Sequence, residues 1–195
     1  MKRTIYTLIL SAVIYLSSCT KDALAPVAVQ IASNNNPAVP STTSLTAATD
    51  TIVNTNGYLK LKLAKDTFNN DEVVICFKPK AKVCYIPGED APYLQGFGSE
   101  SLCSLSSDNI PLAMNLLPLT QRGDTIALKV GANSDGVYKL SLTAINAVPE
   151  KFHVWLMDKY RKDSIDLRQN KTYLFDIYTA DTSSVGKNRF KLVVR

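Results

Sequence analysis

The sequence predicts an all-β fold, an antiparallel β-sandwich of jelly-roll-like form, over residues 57–195. Three observations predict it. From Tyr58 onward apolar residues recur with period two, the mark of strands that bury one face. The periodic segments are short and parted by turn-forming clusters: "IPGED", "SSDN", "RGD", "NSDG", "RQNK" and "SSVGKN". No long helical period interrupts them, and many short strands between turns point to a sandwich or barrel.

Each element can be justified in order. Leu59, Leu61 and Leu63 alternate with Lys60 and Lys62, which predicts the first half-buried strand. "DEVVICF" (71–77) is β-branched and aromatic and sets Val73, Ile75 and Phe77 on one face. Lys78, Lys80 and Lys82 then alternate on an expected solvated edge, where lysine discourages edge-to-edge pairing. Further strands are predicted at 101–105, 112–117, 125–130, 136–143, 152–158, 172–178 and 188–194, closing over Trp155, Phe175, Phe190 and the aliphatic alternates. The longest irregular stretch is 79–100. No internal repeat divides the region, so it reads as one domain.

The N-terminus has a different character. Met1-Lys2-Arg3 is a basic cap, followed by an apolar run from about Ile5 to Leu16. A membrane-spanning helix needs roughly 20 apolar residues, so this shorter run behind a basic cap has the pattern of a signal peptide, residues 1–18. It ends Leu16-Ser17-Ser18-Cys19, which resembles the lipobox of bacterial lipoproteins. The resemblance implies cleavage before Cys19 and lipidation of Cys19, so that the lipid there is the membrane contact. Two or more acyl chains, at ~0.8 kcal/mol per buried CH₂, hold a protein stably on a bilayer. Thr20-Lys21-Asp22 partly matches the residues that follow the cysteine in surface-exposed lipoproteins of the Bacteroidota.

Residues 19–56 comprise that cysteine and an expected flexible tether. From 20 to 56 the chain is rich in Ala, Asn, Ser, Thr and Pro, without an aromatic residue, and such composition buries too little apolar surface to offset its ordering entropy. An N-terminal strand docking near Ile52-Val53 is the alternative. The whole chain carries 22 basic and 17 acidic residues; without Lys2 and Arg3 the net charge falls from +5 to +3. No concentrated basic stripe or nucleic-acid-binding motif occurs, which sets nucleic acid aside as a partner. Cys76, Cys84 and Cys103 are an odd number beyond Cys19, so an oxidising compartment allows one disulfide among them. None lies in a CxxC or beside a histidine, and no metal site is predicted.

Within the domain, Asp135-Gly136-Val137-Tyr138-Lys139-Leu140, Val154-Trp155-Leu156-Met157-Asp158, Asp166-Leu167, Tyr173-Leu174-Phe175 and Arg189-Phe190-Lys191-Leu192 follow one another. Upstream, "DEVVICF", the loop closing on Asp90-Ala91, "SLCSLS" and "LAMNLLP" precede them. In that order they resemble a β-sandwich module of Bacteroidota surface proteins that often precedes the sorting domain for type IX secretion. The loop departs from the family, with Cys84-Tyr85-Ile86 and Gly88-Glu89-Asp90-Ala91 replacing a more polar run. The chain ends at Arg195, directly after the last motif, so delivery is expected through the lipid at Cys19. Structural roles suffice for the motif residues: Gly136 in a turn, Asp166 accepting backbone N–H bonds, Tyr173, Phe175, Phe190 and Leu192 facing inward, and Asp158 pairing with Arg189 or capping a turn.

No catalytic set is predicted. The one histidine, His153, is expected beside water on a strand, and no G-x-S-x-G elbow occurs. Asp71-Glu72 and Glu89-Asp90 are adjacent pairs whose side chains point to opposite faces. "GFGS" (96–99) precedes no helix and so offers no phosphate cradle. Tyr85, Tyr93 and Phe97 lie in the longest loop and are the candidate ligand platform; calcium on Glu89, Asp90 and Asp108 is the weaker idea. The reading is therefore a non-enzymatic, cofactor-free lipoprotein of the outer membrane, surface-exposed or periplasm-facing, with an adhesive, structural or interaction role. The alternative is a glycan-binding lipoprotein of a polysaccharide-uptake system. Partners are the membrane at Cys19 and either another envelope protein or a glycan.

Overall fold

The computed structural model describes residues 50–195; the signal peptide, Cys19 and the tether as far as residue 49 lie outside the described residues. Within them, eleven strands form one mixed, nearly closed sheet. They are β1 (Tyr58–Ala64), β2 (Asn70–Phe77), β3 (Ala91–Pro92), β4 (Ser101–Leu105), β5 (Pro111–Leu117), β6 (Asp124–Gly131), β7 (Gly136–Asn146), β8 (Val154–Asp158), β9 (Asp163–Asp166), β10 (Thr172–Ile177) and β11 (Gly186–Val194). The order is β10-β7-β1-β2-β5-β4-β6-β11-β8-β9, with β3 added on β5.

The period-two pattern builds the core as expected. Leu59, Leu61 and Leu63 of β1, Val73, Ile75 and Phe77 of β2, and Phe190, Leu192 and Val194 of β11 all point into one core. Every paired strand and the whole described core lie within 50–195. Phe175 and Phe190 meet edge to face at 4.8 Å, although β10 and β11 are far apart in the strand order. That contact is how the curled sheet fills its own interior.

Several expectations need correction. β2 and β5 pair in parallel, Val74 opposite Met114, so the sheet is not purely antiparallel. Lys78, Lys80 and Lys82 are exposed as expected but follow the end of β2 in a turn, because the chain leaves the ladder at Phe77. β8 starts at Val154, not 152, since Phe152 donates to the Pro149 carbonyl in a turn. Val154, Leu156 and Asp158 take the inward positions of β8, which leaves Trp155 half-buried on the outer face beside His153. β3 and β9 are additions to the predicted set; β9 reads Asp-Ser-Ile-Asp and is a largely exposed edge strand with little apolar signal. Of the N-terminal segment only residues 50–56 are described, and they dock near Ile52-Val53 through an isolated bridge and not a strand. Ile52 bridges Thr120, Val53 donates to the Leu119 carbonyl, and Val53 is buried, so the packed body reaches back before residue 57. Thr55 adds a hydroxyl bond to the Ala147 carbonyl.

One charged pair stands at the seam. Arg189 and Asp158 are both fully buried and joined at 2.9 Å, the pairing that the sequence suggested. The guanidinium also donates to the Asp176 carbonyl at 2.7 Å and to the Ser184 carbonyl. It lies 4.6, 4.8 and 4.9 Å from the ring centres of Phe175, Phe190 and Tyr160. Asp158 Oδ1 in turn caps the β8–β9 turn by accepting from the Tyr160 and Arg161 amides. The Tyr173 phenol, within reach of Asp158, is pushed up to about 12 by burial and then by the Asp158 and Asp163 charges.

Candidate functional site

The chain root and the most exposed apolar side chains lie at opposite ends of β1. Tyr58 at its start pairs with Asn146 and Cys76, close to where Thr51–Thr55 dock. Ala64 at its other end leads into the turn 65–69, about 20 Å away at the rise of an extended strand. Asp66 builds that turn: its carboxylate accepts from the Phe68 and Asn69 amides at 2.8 Å and from Asn69 Nδ2 at 2.7 Å. Those bonds hold the Asp66 carboxyl below its ordinary value. The turn's own polar groups are satisfied inward, and the Phe68 side chain is left 93% exposed.

The long loop approaches the same end. As far as Tyr93 it is stitched to the sheet. Ser107 donates to the Val83 carbonyl, the Tyr85 amide to Asp108 Oδ1 at 3.1 Å, and the Ile86 and Leu116 amides to the two oxygens of buried Asp90 at 2.7 and 2.8 Å. Tyr93 spends its hydroxyl on Asp71 Oδ2 at 2.7 Å, and that oxygen also accepts from the Leu102 amide. Burial, followed by the Asp71 bond and charge, raises the Tyr93 phenol well above its ordinary value. Beyond Tyr93 the chain projects, with Leu94 85% and Phe97 113% exposed, before Ser99 meets Asn69 of the first turn at 3.5 Å.

The predicted platform is thus divided. Phe97 is fully exposed, Tyr85 and Tyr93 are half-buried, and no ring–ring contact among the described residues joins the three. The calcium idea fares no better: both oxygens of Asp90 and one of Asp108 serve backbone amides, and no three His, Cys, Asp or Glu side chains converge among the described residues. No disulfide links Cys76, Cys84 and Cys103. The Cys103 thiol is pushed up to about 11 by burial.

A depression of about 370 Å³ flanks the first turn, lined by Lys62, Lys65, Lys139, Ser141 and Thr143 among others. Lys65 Nζ is fixed by Ser134 Oγ at 2.8 Å and the Asp135 carbonyl at 3.0 Å. Lys60, by contrast, is matched by Glu72. Sequence reasoning sees Lys62 as a strand alternate and misses the depression, which needs β1 and β7 side by side. An aromatic residue inside the polar run Asp66-Thr67-Phe68-Asn69-Asn70 is the available signal for Phe68.

His153 does find an acid. Its Nδ1 is 2.6 Å from Asp166 Oδ2, while Asp166 Oδ1 accepts from the Arg168 and Val154 amides, the turn role expected of it. Burial raises the Asp166 carboxyl, but the His153 bond and the two amides outweigh it and leave it lowered. The pair fastens β9 to the start of β8. No helix among the described residues is long and apolar enough to cross a membrane. Comparison with family models, with curated proteins and with solved structures finds no match.

Proposed function

We propose that the chain is an envelope lipoprotein, cleaved before Cys19, acylated there, and held at the outer membrane through the segment up to residue 50. Its β domain is a non-catalytic interaction head. In this reading the nearly closed sheet is a jelly-roll-like sandwich whose two faces meet at Phe175 and Phe190. It is of the kind that precedes type IX sorting domains in Bacteroidota surface proteins. The observation that carries the proposal is the division between the two ends of the domain. The chain root docks at one end through Ile52 and Val53, and Phe68, Leu94 and Phe97 stand exposed at the other. Exposed apolar groups gathered in one place mark interaction sites more often than scattered ones do. Glycan binding is the second reading, favoured by the free ring of Phe97 alone.

The test is a Cys19→Ala variant expressed in a bacterial host with lipoprotein processing. The parent is expected in the outer-membrane fraction, with an acylated N-terminal peptide by mass spectrometry. The variant should lose both. Equal fractionation of the two, with no acyl group on either, would remove the proposal.

A further inference from the structure

We infer that the loop end is a second, weaker membrane contact. Phe68, Leu94 and Phe97 enter the acyl boundary of a bilayer, and Lys62, Lys65 and Lys139 meet its anionic headgroups. This rests on the proposed lipoprotein reading only in supposing that a bilayer is close by.

Three features favour a bilayer over a glycan or a folded protein. First, the apolar groups stand on two projecting tips and not in a concave site. A Cβ built at Gly96 meets nothing within 4 Å, and one at Gly98 meets only a backbone oxygen at 3.8 Å, so Phe97 is surrounded by open space. A sugar shelf would need a neighbouring ring or polar groups beside Phe97, and the stitched Tyr93 supplies neither. A fluid acyl layer receives a protruding side chain without a matching surface.

Second, the two tips belong together. Ser99 Oγ lies 3.5 Å from Asn69 Oδ1, so the Phe68 turn and the Phe97 loop advance as one edge. Third, the charge beside them is of the right sign. Lys62, Lys65 and Lys139 take part in no ion pair among the described residues, and the depression they line is continuous with the Phe68 turn. Three acids sit there too: Asp66 turns its oxygens to its own loop, Asp135 Oδ1 accepts from Thr179, and Glu72, opposite Lys62 in the ladder, is paired with Lys60. Aromatic groups at the acyl boundary with lysines at headgroup level are the arrangement of interfacial proteins.

The root of the domain at its other end does not prevent this. From Cys19 to Thr51 the chain can span about 100 Å when extended, several times the length of the domain's strands. The domain can therefore turn its tip onto the bilayer that carries its own anchor. An acyl anchor plus a basic, apolar surface is a two-signal attachment, and each signal alone is weak.

The experiment uses the acyl-free chain from Thr20 to Arg195, which contains the whole described core, so its result does not depend on whether Cys19 is lipidated. It is mixed with vesicles of phosphatidylethanolamine and phosphatidylglycerol, and separately with vesicles of phosphatidylcholine alone. Binding is expected to the anionic vesicles, weakening with salt. Phe68→Ser and Phe97→Ser should each lower it by about tenfold. Each of Lys62→Gln and Lys139→Gln should lower it about fivefold on anionic vesicles only. Thermal unfolding of every variant should stay close to the parent, since Phe68, Phe97 and Lys139 are exposed and Lys62 is half-buried without an ion-pair partner among the described residues. A Phe97→Trp chain in a Trp155→Phe background carries a single indole at the loop tip. Its emission should shift to the blue on binding and be quenched by lipids brominated along the acyl chain. Absence of binding to anionic vesicles, binding indifferent to all four substitutions, or unquenched indole emission from the bound probe chain would each overturn the inference.

Discussion

Arg189 offers the sharpest energetic test. Replacing it by leucine leaves the Asp158 carboxylate in the core without its partner, an event that costs about 3–5 kcal/mol. The same change strips the Asp176 and Ser184 carbonyls of their donor. Each orphaned carbonyl adds about 1–3 kcal/mol where water cannot replace the donor. Because Asp158 keeps the Tyr160 and Arg161 amides, and water can enter a widened seam, the terms do not add in full. The expected loss is about 4–6 kcal/mol, a large share of a whole domain's typical stability of about 5–15 kcal/mol. Arg189→Lys keeps a charge but cannot face Asp158, two carbonyls and three rings at once, and should fall between parent and leucine variant. Urea unfolding followed by near-ultraviolet circular dichroism measures each variant. In Arg189→Leu with Asp158→Leu, the two losses should be less than additive by at least about 2 kcal/mol. A single-variant loss below about 1 kcal/mol, the scale of a surface pair, or strictly additive losses, would refute the account of Arg189 as the clasp.

Three further outcomes follow from the same geometry. The lowered Asp166 carboxyl binds its proton less readily in the folded than in the unfolded chain. Its contribution is full above the unfolded value of about 3.9 and drains as pH falls through the lower folded value. Asp166→Asn should therefore flatten part of the acid limb of stability against pH. Gly123 has φ +88°, and a Cβ there would lie 2.2 Å from the Val194 carbonyl oxygen. Gly123→Ala should cost at least about 2 kcal/mol by chemical denaturation. The Cys103 thiol, buried and raised to about 11, should alkylate on the order of a hundredfold more slowly than an exposed cysteine. Urea should abolish the difference, as timed labelling and mass spectrometry would show.

How much of this is legible in the sequence depends on whether the signal is local. Alternation along Leu59-Lys60-Leu61-Lys62-Leu63 and through Val73, Ile75 and Phe77 places strands to within a few residues, because burial on one face is written into a single strand. Asp158 and Asp166 can be read as turn-capping or pairing groups from their motif positions. What cannot be read is anything that needs two distant strands at once. The parallel pairing of β2 with β5, the basic depression between β1 and β7, and the approach of Asn69 to Ser99 all depend on where the sheet folds back. The size of Trp155 argues for an inward place. Asp158 instead points inward because Arg189 awaits it, and a buried ion pair overrides the apolar period.

The seam also bears on where partners can dock. β10 is an edge strand, and an open edge invites pairing with another chain. Here the outward carbonyls of Leu174 and Asp176 are taken by Arg161 and Arg189, and the amide and carbonyl of Tyr178 by the hydroxyl of Ser184. Side chains from the β8–β9 turn and from the start of β11 thus occupy acceptors that an added strand would need. Those bonds cap the edge without a ladder. Strand addition at β10 would have to take the Leu174 and Asp176 carbonyls from Arg161 and from Nη1 of Arg189, at about 1–3 kcal/mol for each buried group left unpaired. The loop tips carry no such penalty, since Phe68, Leu94 and Phe97 can be covered without breaking a bond that the fold requires. Association should accordingly begin at the tips and leave the β10 edge untouched. Amide exchange measured on β10 with and without anionic vesicles reads this directly: unchanged protection there, with slowed exchange at 66–69 and 94–99, is the expected pattern.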